Sequence, residues 1–151
     1  MARFKYSMQN ILDISYKLEN QVKADFAVAS ARVVREEEKL EEIYRQIEAY
    51  QDKLRESSGE KLDLNELKYC NQAIEYNKTK AEMQKKQIKK AEEARERVRI
   101  RLNQAMKDRK MHETLKDKQF KNFLAELSRE ESKEIDELIS FQYNDRERNK
   151  K

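Results

Sequence analysis

The sequence predicts an all-α protein, a long antiparallel two-helix coiled-coil hairpin, on three observations. Apolar residues recur at spacings of four and three over fifty residues, no proline occurs anywhere, and the only glycine, Gly59, falls just after that run. A heptad of this length without a breaker is one long helix whose apolar seam must meet another helix. Charged residues make up 42% of the 151 and mean hydropathy is −1.18. That is too polar for an ordinary compact core, and a sustained seam separates it from disordered charge-rich chains.

Helix one is expected over about 4–56, on the seam Phe4, Met8, Ile11, Ser15, Leu18, Val22, Phe26, Ala29, Val33, Glu36, Leu40, Ile43, Ile47, Tyr50 and Leu54. Leu18, Val22 and Phe26 are spaced four and four, a stutter that locally unwinds a left-handed supercoil. The turn is expected over 57–62, with Gly59 taking the left-handed conformation that reverses a helical chain. Asp63 and Glu66 have the form of a capping box ahead of Leu64, Leu67, Cys70 and Ile74, and Thr79 with Glu82 forms a second. Two start signals predict a short helix over about 63–76 and a restart, with helix two running over about 80–143. The alternative is one continuous helix with Thr79 exposed. The seam of helix two holds through Ala81, Ile88, Ala91, Val98, Leu102 and Ala105. It weakens over 107–119, where only Met111 and Leu115 are apolar, and resumes at Phe120, Leu124, Leu127, Ile135, Leu138 and Phe141. Small residues here facing large ones on helix one allow close packing. Residues 144–151 read as a polar, frayed tail of what is otherwise a single hairpin domain.

The residues argue against catalysis. His112 is the only histidine and reads as solvent-facing, so a histidine metal site or triad lacks its parts. One glycine builds no phosphate-cradling loop. Cys70, the only cysteine, fits a reducing compartment and reads as a small apolar packer. No stretch approaches the ~20 apolar residues of a membrane span, and the opening residues lack the apolar core of a signal peptide. A cytoplasmic, non-enzymatic protein without cofactor or metal is expected.

Two features stand out from the rod. Lys78–Lys110 holds thirteen basic and five acidic residues, a net of +8, while Val34–Glu60 is led by Glu36, Glu37 and Glu38. These read either as outer faces attracting across the pair, or as a basic stripe (Lys85, Lys86, Lys89, Lys90, Arg97, Arg99, Arg101) for an acidic partner. Nucleic acid would suit the charge, but no aromatic lies within that span to stack on bases. The second feature is a group of tyrosines around the turn, Tyr44, Tyr50, Tyr69 and Tyr76. They read either as packing or as a protein interface, where tyrosine buries much area at low entropic cost.

The opening Phe4-Lys5-Tyr6-Ser7-Met8-Gln9-Asn10-Ile11-Leu12-Asp13, with Glu19 following, resembles the start of the bacterial flagellar export protein FliJ family. The resemblance extends through Glu37-Glu38-Lys39-Leu40, then Gln104-Ala105, Arg109-Lys110, Glu113, Leu115-Lys116, Arg129-Glu130 and Asp136-Glu137. It implies a component of the flagellar type III export apparatus, hence of motility, at the cytoplasmic face of the membrane without insertion into it. Members look like the central stalk of rotary ATP synthases, with paired helix ends entering the pore of the export ATPase hexamer and promoting its assembly. They also link that ring to the export gate protein FlhA and escort export chaperones. On this basis Phe4, Met8, Ile11, Phe120, Leu124 and Leu127 are expected to face the ring, and Lys39, Tyr44, Gln46, Tyr69 and Tyr76 the gate. Two other classes remain as readings: a chaperone-like hairpin holding client helices, and a basic nucleic-acid-binding coiled coil.

Overall fold

The computed structural model describes residues 3–57 and 63–149. Two helices make up nearly all of them, α1 over Gln9–Ser57 and α2 over Leu64–Asn149, with no strand among the described residues. Contacts divide the chain into two units, one of Met1–Leu18 with Met106–Lys151 and one of Glu19–Ala105. Within the second, Asp25 meets Arg101, Glu36 meets Gln84 and Tyr50 meets Tyr69. Within the first, Phe4 meets Phe120 and Tyr16 meets Glu113. In both, partner numbers fall as α1 numbers rise, so the helices run antiparallel and the all-α hairpin is borne out. The expected turn at Gly59 lies outside the described residues.

The core of the Glu19–Ala105 unit gathers Ile43, Ile47, Ile74 and Ala81, with Leu40, Tyr50 and Leu54 packed around them. Large residues lie on α1, whereas the buried residues of α2 include Cys70, Ala81, Ala91 and Ala105, the large-against-small pairing that lets helix axes approach. Each fully buried Ile or Val contributes about 1.5–3 kcal/mol.

Several expectations are corrected. α1 begins at Gln9 and not at Phe4; Gln9 N–H donates to the Tyr6 carbonyl, and the Ile11 and Leu12 N–H groups donate to that of Met8. Phe4 therefore lies outside the helix, and Phe4 and Tyr6 are freed from heptad positions. The seam then starts at Leu12 (2% exposed) and passes through Ser15 and Glu19 (4% exposed) to Val22, leaving Ile11 and Leu18 exposed at 43% and 46%. From Leu12 to Leu54 the inward positions alternate three and four without interruption, so the stutter is absent. Keeping Val22, Phe26 and Val33 inward in an unbroken heptad turns position 19 inward too. The buried carboxylate is held by Lys23 at 3.3 Å, the pairing a desolvated charge requires.

α2 is continuous through 77–79, so there is no separate helix over 63–76. Asp63 does cap, its Oδ1 accepting from Asn65 N–H at 3.0 Å. Thr79 does not cap: its hydroxyl donates back to the Glu75 carbonyl at 3.2 Å, and the Asn77 amide donates to Ala73 O at 2.9 Å. Such back-bonding lets polar residues sit within a helix. α2 also persists beyond Tyr143 to Asn149, with Arg146 and Arg148 in its last turn, where the helix dipole favours cations. Finally, the inward line over 107–119 is not Met111 and Leu115, which are exposed. It runs through Arg109, His112, Lys116 and Gln119, all partly buried, and on to Phe123. His112 is thus a seam residue and not a solvent-facing one, and its Nδ1 is buried without a hydrogen-bond partner.

Candidate functional site

Two surfaces carry the residues singled out in the sequence. In the Glu19–Ala105 unit a shallow groove is lined by Gln46, Tyr50, Tyr69, Gln72, Tyr76 and Asn77, among others. Tyr50 comes from the α1 seam. Tyr69 and Tyr76 stand one heptad apart on α2, so both project to the same flank. The Tyr50 and Tyr69 rings meet edge to face, centroids 6.2 Å apart at 73°. The neighbouring Tyr69 side chain pushes the Tyr50 phenol above its ordinary value of 10.0. Lys53 Nζ lies 5.9 Å from the Tyr50 ring centroid, within cation–π reach.

The groove brings together three of the five expected gate residues, Gln46, Tyr69 and Tyr76. Lys39, seven residues before Gln46, shares its heptad position. Tyr44 belongs to the opposite flank, where it hydrogen bonds Lys85; with Glu82, whose contribution is the larger, it holds that ammonium above its ordinary 10.5. Sequence reasoning left out Gln72 and Asn77, polar residues that the α2 heptad places at the groove.

The polar clamp of this unit is Gln84, whose Nε2 donates to the Glu36 carbonyl at 2.9 Å and to its Oε2 at 2.6 Å. Gln84 first, and then Lys39, hold the Glu36 carboxyl below its ordinary 4.5. A carboxyl lowered by folding stabilises the fold above its unfolded pKa, and that stabilisation is lost as pH falls through the folded value. Gln84→Ala is therefore expected to lower the melting temperature at neutral pH and to flatten its decline below about pH 4.5. Melting curves at a series of pH values check this; parallel curves for the two proteins would contradict it.

Across α1 and α2 the basic stripe pairs mainly with its own helix, through Lys78–Glu75, Lys85–Glu82 and Arg99–Glu96. Arg101–Asp25 at 3.7 Å joins the two helices. Lys86, Lys89, Lys90 and Arg97 are exposed and form no ion pair among the described residues. The stripe is accordingly a solvated positive surface more than a clasp across the seam.

The other surface lies in the unit of Met1–Leu18 and Met106–Lys151. Phe4, ahead of α1, sits against two α2 rings, Phe120 at 5.1 Å and 67° and Phe123 at 5.5 Å and 49°. Shallow grooves flank it, one holding Lys5, Tyr6, Gln9 and Lys116, the other Arg3, Gln119, Asn122 and Glu126. Of the residues expected to face the ring, Phe4 and Phe120 meet, Leu124 and Leu127 continue the same face of α2, and Met8 is half-buried. Ile11 falls on the other flank of α1. Phe123, Tyr6 and Leu12 are the packing residues that sequence reasoning missed, because their roles depend on where α1 begins. Every described residue of α2 from 128 onward is exposed, including Ile135, Leu138 and Phe141, so the expected seam contact there is not made.

Among the described residues, no group of three His, Cys, Asp or Glu is placed to hold a metal ion, and no helix is long and apolar enough to cross a membrane. Cys70 is a buried free thiol in the seam. Compared with known families, the chain matches the model described as flagellar FliJ protein over residues 4–148. No curated protein and no solved structure matches it.

Proposed function

The chain belongs to the flagellar FliJ protein family, and from that premise we propose that it is a stalk-like coupling protein of the flagellar export apparatus. Membership itself carries a role in flagellar export by a non-catalytic component. The finer reading assigns two jobs to two surfaces. The unit built around Phe4 engages the export ATPase hexamer, promoting its assembly and activity, with Phe120, Leu124 and Leu127 as the contact face and Met8 beside it; Ile11, on the other flank, stands outside that face. The tyrosine groove engages the export gate protein FlhA through Gln46, Tyr69 and Tyr76 with Lys39, and the basic stripe steers that encounter. The protein works in the cytoplasm at the membrane face of the apparatus.

What supports this reading is a family match over almost the whole chain together with two chemically different exposed surfaces. One is apolar and aromatic on α2; the other is a tyrosine-lined groove beside a positive stripe. A capture experiment from a flagellated bacterial lysate tests it. Recovery of the ATPase and gate components supports coupling; recovery of exported substrates or their chaperones alone supports the escort reading; recovery of nucleic acid contradicts both.

The groove makes a separate prediction. Tyr69→Ala with Tyr76→Ala is expected to weaken gate binding by about 2 kcal/mol or more, the scale of interface tyrosines, while ATPase stimulation is retained. Tyr44→Ala, on the opposite flank, leaves gate binding unchanged. Binding isotherms check both. An early-melting double variant would make the tyrosines packing residues, and equal losses from Tyr44→Ala would move the contact off the groove.

A further inference from the structure

The Met1–Leu18 and Met106–Lys151 unit carries an apolar flank left uncovered among the described residues. At 100° per residue, Ile11, Ile14 and Leu18 form one stripe on α1, beside the seam of Leu12, Ser15 and Glu19. Met111 and Leu115 form the matching stripe on α2, beside Arg109, His112 and Lys116. Tyr16 donates its hydroxyl to Glu113, which fixes which sides of the helices face the same way. Tyr16 and Glu113 lie on one side of the seam, so Ile11, Ile14, Leu18, Met111 and Leu115 all lie on the other. These five are between 39% and 62% exposed. Contiguous exposed apolar surface on two parallel ridges is a docking groove for a third helix.

The charge around this groove indicates its occupant. Lys17, Lys107 and Lys118 stand at its outer edges, with Asp108 alone of the acidic residues beside Leu115. The matching surface lies on the same chain. Over 126–137, α2 carries six acidic and two basic residues, a net of −4, and Ile135, Leu138 and Ile139 form an exposed apolar stripe at helical spacing within and just beyond it. An acidic-edged apolar helix complements a basic-edged apolar groove in both shape and charge.

We propose that a second copy of the chain occupies this groove, the Ile135–Leu138–Ile139 stripe of one copy lying on the Ile11–Ile14–Leu18–Met111–Leu115 flank of another. The pairing covers part of residues 128–149, which are exposed on every side. It is independent of the export reading, since it uses only this chain.

Sedimentation of the full chain over a concentration series tests the pairing. The expected result is a mass that rises from monomer with concentration and falls back as salt screens the charged rims. Ile14→Asp with Met111→Asp removes the groove, and Ile135→Asp with Leu138→Asp removes the stripe. All four positions are exposed, so the helices persist, which circular dichroism checks. Each double variant alone is expected to pair about tenfold or more weakly. An equimolar mixture of the two, which keeps one intact groove and one intact stripe, is expected to pair again. A wild-type chain that stays monomeric throughout, variants that associate like wild type, or a mixture that stays monomeric would each overturn the proposal. Binding of an unrelated acidic amphipathic helix by a chain that stays monomeric would give the groove to another partner.

Discussion

Replacing Ile43 and Ile47 together with Asp unfolds the hairpin of the Glu19–Ala105 unit. Both side chains are buried against Ile74 and Ala81 in the core of that unit. An unpaired carboxylate there costs several kcal/mol, against a total stability of about 5–15 kcal/mol for a small domain. Neither helix is stable alone at this charge density, because helical stability in proteins comes mainly from packing an apolar face. Circular dichroism should show most helicity lost and the cooperative melt abolished. Unchanged helicity and melting would remove these residues from the core.

Deleting residues 1–12 is expected to abolish stimulation of the export ATPase while most of the chain stays helical. The deletion removes Phe4 from its place against Phe120 and Phe123, and with it Tyr6 and Leu12, both buried. Each aromatic pair contributes about 0.5–1.5 kcal/mol beyond the area it buries, so the unit around Phe4 loosens. The Glu19–Ala105 unit keeps its own core. ATPase rate against concentration of the truncated chain measures the effect, with helicity recorded in parallel. Full stimulation by the truncation would place the ATPase contact elsewhere.

The sequence made the hairpin legible because heptads are a strong signal: Val22, Val33, Ile43 and Ile47 are buried where their spacing puts them. What it hid was phase near the start of α1. Ile11 and Leu18 look like better core residues than Leu12 and Glu19, and an apolarity count prefers them. Register over 22–54 outweighs that local preference, and Lys23 makes the buried Glu19 tolerable. The same limit applies to 107–119, where Met111 and Leu115 drew attention while Arg109, His112, Lys116 and Gln119 continue the inward line. Thr79 with Glu82 reads as a helix start in one dimension; it is overridden because no Gly or Pro lies near it and its hydroxyl is satisfied by Glu75.

For the candidate surfaces, residue types were legible and grouping was not. Tyr69, Tyr76 and Gln46 share a groove because heptad positions on two antiparallel helices coincide there, whereas Tyr44, two residues from Gln46, points to the other flank. Phe4 and Phe120 meet across 116 positions of sequence, a contact fixed only once the non-helical segment before Gln9 is known.

The measurement that tests the coupling account most directly is the rate of the purified export ATPase as the chain is titrated in, compared with Leu124→Asp. Leu124 is exposed on the α2 face beyond Phe120, so the substitution leaves the helices intact. The account predicts that the wild-type chain raises ATPase activity and that Leu124→Asp raises the half-saturating concentration by roughly thirtyfold, the equivalent of about 2 kcal/mol at an interface hot spot. No stimulation by the wild-type chain, or equal stimulation by Leu124→Asp, would contradict it.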